Sequence, residues 1–286
     1  MTDGTPLSPG LYITATPIGH AGDLTFRAHA ALEACDLLLC EDTRVTSKLL
    51  SHYGIRKKLT PYHDHNAARM RPRILARLEE GASVVLVSDA GMPLISDPGY
   101  RLVREALAAG HEVTVLPGAS APLTALALSG LPSDRFLFAG FLPPKSAARR
   151  AALEEVRTVR ATLLFFETGP RLAGSLADMA AVLGPRPASV ARELTKLHEE
   201  VRRDRLDLLA RHYAEAGPPK GEIVVAVGPP EAKEKADPAV WRAALKDALK
   251  RASVRDASAE IAAEFGVSRR DVYREALTLA RRRGDS

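Results

Sequence analysis

The chain has 286 residues, 46% hydrophobic and 26% charged, the composition of a globular protein large enough to fold without disulfides or metal. That balance excludes a collagen, a disordered tail and a coiled-coil rod, and no apolar run approaches the ~18 residues that argue for a membrane span. The net charge is +5 and 30 of the 40 basic residues are Arg, whose planar fork suits phosphate; this permits a nucleic-acid partner without requiring one.

The start, MTDGTPLSPG, lacks the basic segment and apolar stretch of a secretory signal. Short apolar runs then alternate with helical patterns. Residues 11–16 predict a strand and 27–35 a helix, with Ala28, Ala31, Leu32 and Cys35 at helical spacing. Residues 36–41 predict a strand, 43–53 a helix, KLTPY a weak strand and 66–80 a helix stopped by Gly81. Cys35 and Cys40 are spaced neither as a CxxC pair nor as zinc ligands, and read as buried hydrophobes in a reducing cytoplasm. Residues 82–89, ASVVLVSD, form a Val-rich run expected of a central parallel strand. A helix at 100–109, the strand HEVTVLP and a helix ending at Leu128 complete a repeated βα pattern, which predicts a parallel sheet.

A boundary is expected near residues 130–135. FLFAGF then restarts the pattern as a strand, followed by a helix at 146–159 and the strand ATLLFFE. Leu172, Leu176, Met179, Ala180 and Leu183 mark a helix stripe. ASVARE and GEIVVAVG read as strands, with a strand edge and a helix between them. PPEAKEKADP is a proline-bounded linker to a helical tail carrying 11 basic and 8 acidic residues from 237 to 286. The expected domains are therefore 10–130, 131–229 and 237–286.

In an open α/β sheet, ligands bind beyond the carboxyl ends of the strands. The segments there are TPIGHAGD, EDTR, SDAGMPLISDPG, PGASAP, LPPK and TGPR, rich in small, turn-forming and acidic residues. Neither GxxxxGK[ST] nor GxGxxG is present, which argues against a P-loop NTPase and a Rossmann dehydrogenase. SDAGMPLISDPG concentrates two Asp, two Gly and two Pro, more than a plain strand-to-helix turn needs, and favours a cofactor site. Glu41, Asp42 and Arg44 leave two readings open: Asp42 caps a helix and pairs with Arg44, or an acid faces the substrate. His63 and His65 lack a third ligand, so no metal is expected; substrate contact, or a cap at Asn66, fits better. Lys145, Arg192, Glu193 and Lys196 form a charged rim suited to RNA phosphate. Glu222 is a strand-edge acid or a cleft residue.

In the tail, residues 260–277 have helix-turn-helix spacing. Ile261, Ala262, Val267, Val272 and Leu277 face inward, Gly266 turns, Ser268 caps, and Arg269, Arg270 and Arg274 face outward, either as an RNA-contacting surface, which the basic face favours, or as the solvated side of a helical pair packed on the body.

The ordered series TPIGHAGDLTFRA, CEDTRVTSKLL, YHDHN, SDAGMPLISDPG, PGASAPLTAL, GFLPPK, ARELTKLHEE and GEIVVAVG resembles the tetrapyrrole methylase superfamily over about residues 10–228. Within it, the likeness is to the branch that methylates the ribose 2′-oxygen of a cytidine in the decoding region of 16S rRNA. EDTR with SDAGMPLISDPG is its most diagnostic part. One departure is FFETGPRL where that branch carries FYESPHRL: Glu167, Pro170 and Arg171 are kept and the His is not.

The resemblance implies two α/β domains with S-adenosylmethionine in the cleft between them, preceding the small helical tail read above, and a homodimer acting on the small ribosomal subunit. It implies Pro17, Asp89, Gly91, Met92, Gly118, Ser120, Ala121 and Glu222 near the cofactor. It implies Arg44, His63, Lys145 and Arg192 toward RNA, with Glu41, Asp42, or a Lys196 of lowered pKa as the general base. A tetrapyrrole or peptide acceptor on the same fold, and a non-catalytic RNA-binding factor, are the alternatives.

Overall fold

The computed structural model describes residues 7–231 and 237–284. The chain divides into two compact units, Met1–Pro229 and Pro230–Ser286.

The first unit opens on a five-stranded sheet of β1 (Gly10–Thr14), β2 (Leu37–Cys40), β3 (Leu59–Pro61), β4 (Ser83–Val87) and β5 (Val113–Leu116). Its order is β3-β2-β4-β1-β5 and every pairing is parallel. All five residues of β4 are buried, as its Val-rich sequence requires of a strand covered on both faces. Because every strand runs the same way, the loops after β1, β2, β4 and β5 gather at one edge. Helices α1 (Phe26–Ala34), α2 (Thr43–His52), α3 (Asp64–Glu79) and α4 (Tyr100–Ala108) connect the strands. Leu32, Leu50, Ile74, Leu78, Leu102 and Ala106 from these helices are buried in its two core clusters.

The second sheet contains β6 (Phe136–Phe141), β7 (Thr162–Thr168), β8 (Pro187–Arg192), β9 (Glu200–Arg205) and β10 (Glu222–Val227), in the order β6-β7-β10-β8-β9. Only β6–β7 is parallel; β10 runs antiparallel to β7 and β8, and β8 to β9. The carboxyl ends of β6, β7 and β8 and the amino ends of β9 and β10 therefore share an edge. Helices α6 (Ser146–Val156), α7 (Gly169–Leu183) and α8 (Leu206–Ala216) cover one face, burying Leu153, Leu172, Leu176 and Leu209 against Phe165, Val190 and Val225.

Helix α5 (Ala121–Ser129) follows β5 in the chain, yet its buried Ala125 and Leu126 pack with Ala191, Val224, Leu164 and Ala226 of the second sheet. The chain crosses between sheets before α5, whereas composition places the boundary after it. Helix α3 starts two residues earlier than expected: His63 stands at its N-cap position, and the Asn66 side chain accepts a hydrogen bond from His63 N (3.0 Å). Ser120 precedes α5 at the cap position, but its hydroxyl makes no capping bond.

The second unit is three helices, α9 (Pro238–Ala248), α10 (Val254–Phe265) and α11 (Arg269–Gly284). Trp241, Leu245, Ala248, Ala257, Ile261, Val272 and Ala276 form its core. Gly266 adopts φ 63°, the left-handed turn between α10 and α11. Ala262 and Val267 pack against the core as expected, while Leu277 faces water and Ala276 takes the inward position. One step of 100° along the helix separates the two. Arg269, Arg270 and Arg274 are exposed. Among the described residues, no helix is long and apolar enough to cross a membrane.

Candidate active site

The loops after β1 and β4 lock together at the centre of the first sheet's edge. Thr16 N donates to the Gly91 carbonyl (2.9 Å), Gly91 N to the Thr16 carbonyl (3.0 Å), and the Thr16 hydroxyl to the Ser88 carbonyl (3.2 Å). The brace fixes the turn that carries Asp89. Farther along the loop Leu94 and Ser96 hold left-handed φ of 72° and 66°. Across the cleft, Glu193 and Thr195 hold 50° and 63°. Such conformations cost side-chain-bearing residues roughly 1–3 kcal/mol each and cluster where a ligand is clamped. These are the four non-glycine cases among the described residues.

A strap joins the two edges. Thr195 Oγ1 accepts from His20 N at 3.0 Å. Gly19 makes the crossing possible, because a Cβ there would lie 2.5 Å from Lys196 Cγ. Lys196 Nζ bonds Glu193 Oε1 at 2.8 Å and Glu222 Oε2 at 2.9 Å. Burial opposes the ammonium's charge, but the two carboxylates outweigh it and raise its pKa. The lowered pKa that a basic Lys196 requires is therefore absent, and the ammonium is held between two carboxylates.

Between the edges lies a cavity of about 320 Å³. Ile18 and Ala121 line it from the first half, and Phe166, Ala191, Leu194, Ile223 and Val224 from the second. Asp89, Asp97, Glu167 and Glu222 add carboxylates. Apolar walls with acids around them suit a small ligand that has an apolar body and a positive charge. Glu167 is buried, accepts from Thr168 N (2.8 Å) and the Ser175 hydroxyl, and pairs with Arg171 (3.2 Å). Arg171 in turn holds the Leu142 carbonyl, which anchors the LPPK loop.

Three carboxyls at the first sheet's edge perturb one another. The Asp97 pKa is pushed up to about 6, first by burial and then by the charge of Glu41. Glu41 is raised by burial and then by Asp89 and Asp64. Asp89 is raised by burial, although Asp42 N donates to its Oδ1 (3.1 Å). Asp42 differs: hydrogen bonds from the Arg44 side chain and backbone hold it at about 2. Its carboxylate caps α2 through Arg44 N (2.8 Å), whereas the neighbouring Glu41 carboxyl is raised.

The cavity brings together Asp89, Ala121 and Glu222 of the expected cofactor set. Gly118 and Ser120 line a neighbouring, more open groove of about 650 Å³. Pro17 and Gly91 are buried in the braced loops without lining the cavity, and Met92 packs into the first sheet's core. These three lie in or beside the braced loops that border the cavity. Arg44 and Lys145 are exposed at the ends of their helices. Arg192 is engaged with Glu200 (2.9 Å) and the Lys220 carbonyl (3.2 Å), so it stiffens the β8–β9 pair rather than standing free for phosphate. The His63 and His65 rings meet edge to face at 5.9 Å. Among the described residues, no three His, Cys, Asp or Glu side chains are grouped to hold a metal ion. Sequence reasoning missed Asp97 and Phe141, although both lie inside segments it singled out. Their burial and the strand bend that places them carry no sequence signal of their own.

The family described as Tetrapyrrole (Corrin/Porphyrin) Methylases matches residues 10–210, and the RsmI C-terminal HTH domain matches residues 235–280. The chain is 55% identical over 274 residues to the ribosomal RNA small subunit methyltransferase I of Erythrobacter litoralis, covering 96% of each. It is 52% identical over 275 residues to that of Mesorhizobium japonicum, covering 96% of this chain and 93% of the relative. Among solved structures it is similar in fold to the uroporphyrin-III-C-methyltransferase of Thermus thermophilus, with a TM-score of 0.56 and 23% identity over 77% of this chain and 94% of the other.

Proposed function

This chain belongs to the tetrapyrrole methylase family, and from that membership we propose that it methylates the ribose 2′-oxygen of a cytidine in the decoding region of 16S rRNA, using S-adenosylmethionine. The observation that carries the reading is the extent of the likeness: it runs through the cleft-bearing unit and on into the helix-turn-helix unit.

The cavity fits the cofactor in size and in donor chemistry. Bound there, S-adenosylmethionine supplies an electrophilic methyl group on a positively charged sulfur. Ile18, Leu194 and Val224 would wall its apolar parts and exclude water, while Asp89 and Glu222, which also line the cavity, would accept from its polar groups. The acceptor hydroxyl is a weak nucleophile, and a positioned base contributes roughly 10²–10⁴-fold. Glu41 takes that role. Its carboxyl is held above its ordinary value by burial and by Asp89, whereas Asp42 is engaged with Arg44 and Lys196 is paired with Glu193 and Glu222. Asp89 and Asp97 keep the site anionic beside a cationic cofactor.

Arg44, His63 and Lys145 contact the RNA at the cleft's rim, and Arg269, Arg270 and Arg274 supply phosphate contacts from the helical unit. The target nucleotide enters unstacked, because a helix hides its ribose and base. The segments 10–130 and 131–229 build the cleft, 237–286 is an RNA-contacting accessory, and the enzyme works as a homodimer in the cytoplasm.

The test is methyl transfer from labelled S-adenosylmethionine to small ribosomal subunits lacking their own modification, followed by nucleoside analysis. The expected product is 2′-O-methylcytidine. Absence of transfer, or label on a base or a protein, overturns the proposal.

A further inference from the structure

The chain has only 7 Phe, and three of them meet at one end of the cleft. The Phe166 ring packs edge to face on Phe138 at 4.9 Å, and Phe141 lies tilted on Phe166 at 5.3 Å. Phe166 is half-buried, but Phe141 lines the cavity with 53% of its surface in water. The ring is placed there deliberately. The register of β6 against β7 shifts between Phe138 and Phe141, and Gly140 takes φ +65°. Such a bulge bends a strand and re-aims the next side chain. It also brings the turn against the opposite loop: a Cβ on Gly140 would lie 3.5 Å from Ser96 Oγ, next to Asp97. An open aromatic face therefore stands at the cavity's water side, backed by two further rings, beside the loop that carries an elevated carboxyl.

We propose that Phe141 is the stacking platform for the base of the target nucleotide. The inference rests on the proposed reaction and names how its acceptor is held. A base arriving from solvent meets Phe141 before Phe166, and a nucleotide stacked there has its ribose on the side of the Ser96–Asp97 loop. The cofactor would be held by Phe166 and the apolar wall formed by Leu194 and Val224, which line the same cavity. Every base has a π-face, so this platform positions the nucleotide without selecting cytosine.

The experiment compares wild type with Phe141→Ala, Phe141→Leu and Phe141→Trp on unmodified small subunits, alongside S-adenosylhomocysteine binding by calorimetry. Stacking is worth roughly 1–3 kcal/mol per base, so kcat/KM should fall about ten- to a hundredfold in the Ala variant. The Leu variant, which keeps apolar bulk without a ring, should fall nearly as far, and the Trp variant should stay within a fewfold of wild type. Cofactor-product affinity should change less than twofold throughout, which also reports an intact cleft. Loss of S-adenosylhomocysteine binding in the Ala and Leu variants would assign the ring to the cofactor's adenine and overturn the proposal. Unchanged kcat/KM, or a Leu variant as active as wild type, would overturn it too. Absence of transfer by the wild-type enzyme would remove the reaction itself, and the platform with it.

Discussion

Replacing Asp97 by Asn should stabilise the protein at neutral pH. Burial and the nearby Glu41 charge raise this carboxyl from 3.8 to about 6. Its contribution is therefore fully favourable below about pH 3.8 and is lost as pH rises through about 6. At ~1.4 kcal/mol per pH unit that gap corresponds to about 3 kcal/mol. Asp97 is only partly buried, so solvent screening reduces this to ~1–2 kcal/mol. Asn keeps the shape and removes the charge. Urea unfolding without cofactor should show Asp97→Asn more stable than wild type by ~1–2 kcal/mol at pH 7.5, with the gap closing toward pH 4.5. Methyl transfer should fall in the same variant, because the strain serves the site. A gap of constant size across the pH range, or a less stable variant at pH 7.5, would refute the electrostatic argument.

Glu41→Gln should lower kcat by roughly 10²–10⁴-fold while the S-adenosylmethionine Kd stays near wild type; equal turnover in a steady-state assay would dismiss Glu41 as the base. Wild-type kcat should rise with pH through a limb lying above the ordinary Glu value of 4.5, since burial and Asp89 raise that carboxyl. Gly19→Ala puts a methyl 2.5 Å from Lys196 Cγ and 2.6 Å from Thr195 Oγ1, so the strap must shift; thermal melts should show a loss of ~1–3 kcal/mol, and cofactor binding should weaken. Asp178→Ala removes the partner of buried Arg149, bonded at 2.6 Å, and should cost about 3–5 kcal/mol in urea unfolding, part of which Arg149→Leu in the same chain restores.

The elements of both sheets were legible because each strand is a short apolar run bounded by turn residues, and β4 reads as central from Val84, Val85 and Val87 alone. The family was legible because its motifs fall at strand ends, where the chain is fixed by contacts rather than by periodicity. Other features depend on what lies across a gap. Helix α5 is apolar almost all round, so its sequence does not say which sheet it covers. Met92 sits in a motif yet turns into the core. Asp97 looks like any Asp before Pro-Gly until burial and Glu41 act on it. Phe141 looks like a strand residue until a bulge re-aims it. Arg192 looked free because its partner, Glu200, lies across the β8–β9 turn, and Lys196 because Glu222, the second of its two carboxylates, lies 26 residues away.

Helix α5 has a consequence for how such a protein changes over generations. It is joined covalently to the first sheet and packed on the second, so neither half is a heritable module. A recombination breakpoint at 130 would strip the second sheet of its cover, and one at 118 would sever the loop that borders the cleft. Exchange of halves between relatives is thereby penalised, and a new acceptor has to be accommodated by changing loops in place. A breakpoint after Pro229, where the two compact units divide, cuts through neither sheet.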